Sequence, residues 1–280
     1  MKFGIMQGRL TEPKGRGIQF FPFEHWREEV DMGKVLGLDE IEFIFDYDRY
    51  QDNPLWHDHG EAVGAAAEES GVQICSVCFD YFMRRAFFKR QGHEREKLFE
   101  ENRGIMKHVL ANMFAQGIGL IEIPLVDDSS LQWEEEEAAF REFLLPIVDE
   151  TDASIRFGLE TDMEPHRFQK YLDSFGTNRV GANYDSGNSS GLGYDPYEEL
   201  TILGERIFNI HIKDRQYQGL TKQLGTGSAD FAGFFQALKE IGYDGALILQ
   251  AARGVEGREQ ENIAWQLEFV RNNLLKWKLG

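Results

Sequence analysis

Eight short apolar runs, each separated from the next by a longer amphipathic stretch, constrain the fold of this chain more than any other feature. The runs are rich in Ile, Val, Phe and Leu, and most lack sustained polar alternation. Strands of this composition are covered on both faces, as in a parallel sheet. We predict strands at Lys2–Leu10, Glu40–Phe45, Gln73–Phe79, Leu120–Leu125, Ser154–Glu160, Val180–Tyr184, Ile207–Ile212 and Ala246–Gln250.

Amphipathic stretches of helical character follow these strand candidates. Several begin at a Pro or end just before a Gly, which are the expected residues at helix starts and helix ends. The predicted helices are Phe23–Leu36, Asp58–Glu69, His93–Gln116, Trp133–Thr151, Pro165–Phe175, Pro196–Leu203, Asp230–Ile241 and Arg258–Lys276. Eight strand-then-helix units with short connections predict an α/β fold, a (β/α)8 TIM barrel.

The length of the chain, 280 residues, is typical of one such barrel, and no linker or repeat divides it. We therefore expect a single barrel domain over residues 1–280. A doubly wound sheet is the alternative α/β fold. That fold usually carries a Gly-rich phosphate turn after its first strand, and Met6–Leu10 has no such turn.

The formal net charge is −18, which disfavours binding to nucleic acid or to a membrane surface because both are anionic. An anionic small molecule is still acceptable, since it needs only a local basic cluster. The chain has two cysteines, Cys75 and Cys78, no apolar leader at its N-terminus and no apolar stretch of about 18 residues. We expect a cytoplasmic protein with a small-molecule partner.

Functional side chains of a barrel gather at the carboxyl ends of the strands. Glu160, Asp185 and His211 occupy that position on three successive strand candidates, each after an apolar run that should exclude water. Two buried carboxylates and an imidazole need a compensating cation or partner. Mixed oxygen and nitrogen ligands suit Mn²⁺, Mg²⁺, Co²⁺ or Zn²⁺, so the pattern predicts a divalent metal site.

Several motifs resemble those of the xylose isomerase-like TIM-barrel superfamily of sugar isomerases and epimerases. Those typical of the superfamily are Asn209–Asp214, Tyr184–Asn188 and Leu224–Phe231. The segments Gly4–Leu10 and Phe21–Arg27 most resemble the branch of L-ribulose and L-xylulose 5-phosphate 3-epimerases. The resemblance covers nearly the whole chain and implies a sugar or sugar phosphate as substrate.

In that family a divalent metal, for which Mn²⁺ is favoured, is held by Glu, Asp, His and Glu from strands five to eight. The resemblance places these roles on Glu160, Asp185, His211 and Gln250. Gln250 departs from the family, because an amide brings no charge to the metal and cannot abstract a proton. The family's epimerases use the two glutamates as bases on opposite faces of the substrate, and here only Glu160 can act as a base.

Five further residues are candidates for contact with the substrate. Arg215 resembles the arginine that binds substrate oxygens in the family, and Asn188 stands where ketose 3-epimerases often have His. Lys213 and Arg253 follow strands seven and eight, where barrels often bind phosphate. Glu122 lies within a predicted strand and is expected to point into the barrel or the site.

The sequence thus predicts an isomerase or epimerase of a pentulose or hexulose, or of its phosphate. It would act through a metal-stabilised cis-enediolate with Glu160 as the base. The alternative is a degenerate barrel that binds a sugar without turnover because of Gln250. A phosphodiesterase resembling endonuclease IV would need more strand-end histidines and a basic face. The apolar residues of the last helix, around Trp265 and Leu267, leave both packing against the barrel and a homo-oligomer open.

Overall fold

The computed structural model of the protein describes residues 1–279, and its centre is a closed barrel of eight parallel strands. Each strand pairs with the next along the chain, and the last pairs with the first. The strands are β1 (Lys2–Met6), β2 (Glu40–Ile44), β3 (Gln73–Cys78), β4 (Leu120–Leu125), β5 (Arg156–Thr161), β6 (Val180–Asp185), β7 (Ile207–Ile212) and β8 (Ala246–Leu249). The predicted (β/α)8 TIM barrel is confirmed.

Ten α-helices lie within residues 1–279, and they include the eight that the sequence predicts, with small shifts of their ends. They are α1 (Trp26–Leu36), α2 (Glu61–Ser70), α3 (Tyr81–Arg85), α4 (Gly92–Ala115), α5 (Glu134–Glu150), α6 (Pro165–Asp173), α7 (Ser186–Leu192), α8 (Pro196–Leu203), α9 (Phe231–Ile241) and α10 (Glu259–Trp277). None of them combines the length and the apolar character that a bilayer crossing requires.

The helices α3 and α7 and a small hairpin are absent from the predictions made from sequence. Helix α3 has five residues and α7 has seven, so neither is long enough to show an apolar period. Helix α7 follows β6 directly, because the Asp185 side chain accepts hydrogen bonds from the backbone N–H groups of Gly187 and Asn188 and caps it. The hairpin pairs Asp214–Arg215 with Thr221–Lys222 after β7.

The first strand is shorter than predicted, since β1 ends at Met6 rather than at Leu10. The chain turns at Gly8, where φ is +79°, a conformation that residues with a side chain rarely adopt. A Cβ at this position would also lie 2.4 Å from the carbonyl oxygen of Phe20. The turn begins a long connection, the β1–α1 loop (Gln7–His25), which returns across the mouth of the barrel.

The barrel wall is buried on both sides, as the composition of the strands predicts. Every residue of β2, β4 and β6 is buried. The outer helices supply the second layer of the core, and in α10 the side chains of Leu267 and Val270 are buried. Trp265 of the same helix is 44% exposed, so α10 turns some of its apolar side chains to the core and leaves others on the surface.

Glu29 of α1 fastens the β1–α1 loop to the barrel. Its buried carboxylate accepts hydrogen bonds from the backbone N–H groups of Gly8 at 2.5 Å, Leu10 at 3.1 Å and Thr11 at 3.0 Å. From the other side, the Arg253 guanidinium donates to the carbonyl oxygens of Thr11 and Ile18, both at 3.2 Å, and to that of Gly8. Glu29 and Arg253 thus hold the loop by satisfying its own backbone groups.

We predict that Glu29→Gln lowers the free energy of unfolding by about 2 kcal/mol, because the amide turns an acceptor into a donor and leaves a buried N–H without a partner. Urea titration monitored by circular dichroism measures the effect. Glu28→Gln, at the exposed neighbouring position, is the matched control and should stay within about 0.5 kcal/mol of the wild type. Equal stability of the two variants would contradict this role of Glu29.

Candidate active site

Three side chains from successive strands meet at the carboxyl end of the barrel. Glu160 of β5, Asp185 of β6 and His211 of β7 each offer one ligand atom, and these atoms all lie within 4.8 Å of one another. Their exposed fractions are 5%, 4% and 0%. The strand order thus brings together the three residues that the sequence singled out, in surroundings from which water is largely excluded.

Glu42 fixes the orientation of the His211 imidazole from across the barrel. The Nε2 atom of His211 lies 2.6 Å from Glu42 Oε1, and Asn209 donates a hydrogen bond to Glu42 Oε2 at 2.7 Å. The Nδ1 atom faces Glu160 Oε2 at 3.1 Å and Asp185 Oδ2 at 4.0 Å. A carboxylate on one ring nitrogen, with the other nitrogen turned to the ligand side, is the usual arrangement around a metal-binding histidine.

The electrostatics of this position favour positive charge. Burial by itself lowers the pKa of the His211 imidazole, but the Glu42 and Glu160 carboxylates outweigh it and raise the pKa well above its ordinary value. The surrounding carboxylates therefore favour positive charge at the centre of the site.

Two amide side chains hold Glu160 in place. Asn188 donates to Glu160 Oε1 at 2.6 Å, and Asn183 donates to Glu160 Oε2 at 2.9 Å. Asn188 belongs to α7, so the capping of that helix by Asp185 also positions the donor to Glu160. Helix α7 thus connects Asp185, which caps it, with Glu160, which accepts a hydrogen bond from Asn188 of the same helix.

Gln250 belongs to a chain of hydrogen bonds that crosses the mouth of the barrel. Lys213 Nζ lies 3.4 Å from Asp185 Oδ2 and donates to Gln250 Oε1 at 3.3 Å. Gln250 Nε2 in turn donates to Gln19 Oε1 at 2.9 Å, and Gln19 Nε2 donates to Asp80 Oδ2 at 2.6 Å. Both polar atoms of the Gln250 amide are therefore already engaged.

A cavity of about 780 Å³ opens above these residues. Glu122, Glu160, Asn188, Lys213, Arg215 and Gln250 are the residues predicted from sequence that line it. Asp185 and His211 are not part of the lining. Arg253 also lies outside the lining, because its guanidinium is turned to the carbonyl oxygens of the β1–α1 loop, and so it does not join the expected anion-binding cluster.

Arg215 is a half-buried cationic group of the cavity. Its guanidinium donates to Asn188 Oδ1 at 3.3 Å and to the carbonyl oxygen of Gly219 at 3.2 Å. Within residues 1–279 it forms no ion pair with a carboxylate, although the chain carries a net charge of −18. An arginine that is half-buried beside a cavity and has neutral partners is available to an anionic ligand.

The donor set and its charge fit a divalent cation. Both oxygens of the fully buried Glu122 carboxylate lack a hydrogen-bond partner within residues 1–279. Burial, followed by the charge of Glu160, raises the pKa of Glu122 well above its ordinary value. Four buried carboxylates therefore surround one imidazole and one ammonium group, and a cation would offset the excess. These carboxylates are Glu42, Glu122, Glu160 and Asp185.

Three residues that shape the site are not among the site residues predicted from the sequence, namely Glu42, Asn183 and Gln19. Glu42 and Asn183 are polar residues inside buried strands, and this interruption of an apolar run was the available signal. Gln19 lies in the β1–α1 loop and carries no comparable signal. Its role follows only from the course of the loop over the barrel.

The arrangement at the strand ends is that of an enzyme that transfers protons. A carboxylate held by two amides beside a buried carboxylate–histidine cluster, under a cavity with a free arginine, is suited to proton transfer on a small anionic or hydroxylated molecule.

Comparison with known proteins agrees with this assignment. The model of the xylose isomerase-like TIM barrel family matches residues 30–273, and the chain belongs to this family. The L-ribulose-5-phosphate 3-epimerase UlaE of Escherichia coli O8 (strain IAI1) is 25% identical over 267 residues, which are 90% of this chain and 91% of that protein. The chain is an enzyme of the isomerase class, and the resemblance inferred from its motifs is confirmed.

Solved structures show the same fold. The D-allulose 3-epimerase from Methylomonas sp., in complex with D-allulose, aligns with a TM-score of 0.75 at 15% identity, over 98% of this chain and 97% of that one. The IOLI protein with a binding zinc atom aligns with a TM-score of 0.73 at 16% identity, over 99% of both chains.

Neither the family nor the site supports the alternative of a barrel that binds a sugar without turnover.

Helix α7 rests on a second buried carboxylate, Glu199 of α8. Its Oε2 accepts hydrogen bonds from the Tyr184 hydroxyl at 3.1 Å and from the Ser189 hydroxyl of α7. Burial raises the pKa of Glu199 to about 7. The folded state therefore favours the protonated carboxyl, and its contribution to stability is complete below the unfolded pKa and is lost as the pH rises through about 7.

We predict that Glu199→Gln weakens the fall in the free energy of unfolding between pH 5 and pH 8, by up to about 3 kcal/mol, because the amide oxygen still accepts both hydroxyls and carries no charge. The measurement is urea unfolding across this pH range. Glu205→Gln, at an exposed position next to α8, is the control and should follow the wild type. Parallel pH profiles for wild type and Glu199→Gln would refute the assignment.

Proposed function

We propose that the protein is a metal-dependent isomerase or epimerase of a ketose phosphate and that Glu160 moves the proton. The observation that carries the proposal is the position of the Glu160 carboxylate, which lines the cavity while Asn183 and Asn188 hold its two oxygens. A carboxylate fixed in this way is a suitable base for a C–H bond next to a carbonyl group.

Glu160, Asp185 and His211 are the residues we assign to a divalent cation, with Mn²⁺ favoured over Mg²⁺, Co²⁺ and Zn²⁺. When bound, such a cation would polarise the carbonyl and the adjacent hydroxyl of the sugar and stabilise the enediolate. In support, one structural neighbour, the IOLI protein, was solved with a binding zinc atom.

Glu160 takes the proton from the carbon next to the carbonyl group and then returns a proton. Return to the same carbon on the same face gives exchange with solvent, and return to the neighbouring carbon moves the carbonyl and gives an isomer. Inversion of the carbon requires a proton from the opposite face. Gln250 cannot supply it, because an amide is no acid or base at neutral pH and both of its polar atoms are hydrogen-bonded.

The basic groups of the cavity support a phosphorylated substrate. Lys213 and Arg215 line it near Asn188, and Arg215 is free of carboxylate partners within residues 1–279. A guanidinium binds a phosphate group through parallel, charge-assisted hydrogen bonds. The relative named L-ribulose-5-phosphate 3-epimerase supports a pentulose 5-phosphate as the first substrate to test.

We predict that the Mn²⁺-loaded protein incorporates solvent deuterium into L-ribulose 5-phosphate or L-xylulose 5-phosphate, and that Glu160→Gln lowers this rate at least about 100-fold. Proton NMR in D₂O follows both the lost C–H signal and any new sugar. Glu135→Gln, on the exposed face of α5, is the matched control and keeps the wild-type rate. If no ketose or ketose phosphate exchanges a proton in the wild type, the proposed function is wrong.

We predict that Arg215→Met raises KM for the ketose phosphate roughly tenfold or more, because a charge-assisted hydrogen bond to phosphate is lost. KM for the unphosphorylated ketose should change much less. Steady-state kinetics with both sugars measures the difference, and Arg27→Met, at an exposed position away from the cavity, serves as the control. An equal rise of KM for both sugars would argue against phosphate binding by Arg215.

A further inference from the structure

Lys213 directly follows β7, and the start of α7 holds both its backbone and its side chain. The Lys213 N–H donates to the Ser186 hydroxyl at 2.9 Å, and the Lys213 carbonyl oxygen accepts from that hydroxyl at 2.7 Å. The aliphatic stem of Lys213 crosses Gly187, where an added Cβ atom would collide with Lys213 Cγ. A glycine at this position therefore makes room for the lysine beside the strand ends.

Asp185 has one oxygen that it can offer to a cation, and this oxygen already faces Lys213. Its Oδ1 accepts the backbone N–H groups of Gly187 at 2.7 Å and Asn188 at 2.8 Å. Its Oδ2 is the oxygen on the side of the imidazole, 4.0 Å from His211 Nδ1. Lys213 Nζ lies 3.4 Å from this same Oδ2. The Asp185 oxygen on the ligand side is thus paired with an ammonium group.

Gln250 is the second acceptor of this ammonium group. Its Oε1 atom accepts from Lys213 Nζ at 3.3 Å, and its Nε2 atom donates to Gln19 at 2.9 Å. The bond to Gln19 occupies the other end of the amide, so the amide oxygen is the atom turned to Lys213. One ammonium group therefore lies within hydrogen-bond distance of both oxygens that Asp185 and Gln250 could give to a cation.

We propose that Lys213 competes with the divalent cation for Asp185 and thereby sets the affinity of the site. This inference rests on the cation of the proposed function. A cation held by Glu160, Asp185 and His211 must either displace the ammonium group from Asp185 or bind beside its charge, and both lower its affinity. Gln250 supports the competition, because its amide accepts from the ammonium group and adds no negative charge that would favour a divalent cation.

The test measures Mn²⁺ binding in the absence of substrate, from the EPR signal of free Mn²⁺ during titration of the full-length protein. Lys213→Met keeps the unbranched stem and removes the charge, and we expect its Kd for Mn²⁺ to fall at least about tenfold. Lys213→Arg keeps the charge and should bind Mn²⁺ no more tightly than the wild type. Lys239→Met, at an exposed position of α9, is the matched control and should leave Kd unchanged.

The melting temperature gives a second readout that is independent of how stable each variant is by itself. A ligand that binds the folded state raises the melting temperature, and the rise grows as Kd falls. For each protein the rise is the difference between samples with and without the same concentration of Mn²⁺. We expect a larger rise for Lys213→Met than for the wild type, Lys213→Arg or Lys239→Met. An equal rise in all four proteins would contradict the competition.

The outcomes distinguish the inference from the function on which it rests. If the wild type binds Mn²⁺ and Lys213→Met binds it no more tightly, or if Lys213→Arg gains as much affinity as Lys213→Met, the competition is overturned and the cation site stands. Binding by Lys213→Met without binding by the wild type would mean that the ammonium group blocks the site, which supports the inference. Binding by neither protein overturns the cation site, and the inference with it.

Discussion

The ion pair between Glu42 and His211 is the interaction on which the site depends. It spans the barrel from β2 to β7, and its two atoms are 2.6 Å apart at a point that water does not reach. Glu42 is itself held by Asn209. Because one ring nitrogen is committed to Glu42, the other must face Glu160 and Asp185, and the rest of the cluster is arranged around that direction.

Much of the fold could be predicted from the sequence because the signal is physical and local. Strands covered on both faces must be apolar, so the buried strands β2, β4 and β6 are visible as apolar runs. The site residues at the ends of β5, β6 and β7 can be predicted for the same reason, because they are polar residues at the ends of apolar runs. The helix α7 was missed because its stability comes from one capping carboxylate and not from an apolar period.

The remaining features of the site depend on pairings between distant parts of the chain. Glu42 and His211 are 169 positions apart, and only the closed barrel places them opposite each other. The engagement of Gln250 by Lys213 and Gln19 depends on the path of the β1–α1 loop. Arg253 was expected near the substrate because it follows the last strand, yet its guanidinium is used by backbone carbonyls of that loop. A position at a strand end predicts that a residue lies near the site, but it does not predict which groups its side chain will hydrogen-bond.

The contacts between the β1–α1 loop and the residues after β8 have a consequence for the order in which the protein folds. Gln19 and Gln250 are 231 positions apart, and the hydrogen bonds from Arg9 to the carbonyl oxygen of Ala251 and from Arg253 to that of Thr11 each join residues 242 positions apart. These bonds connect the β1–α1 loop to the segment that follows β8, so they require that both ends of the barrel are in place. Closing so long a stretch of chain is entropically expensive and slow compared with local pairing. We therefore expect the mouth of the barrel to assemble late, so that a partly folded chain carries the chemical groups of the site without their arrangement.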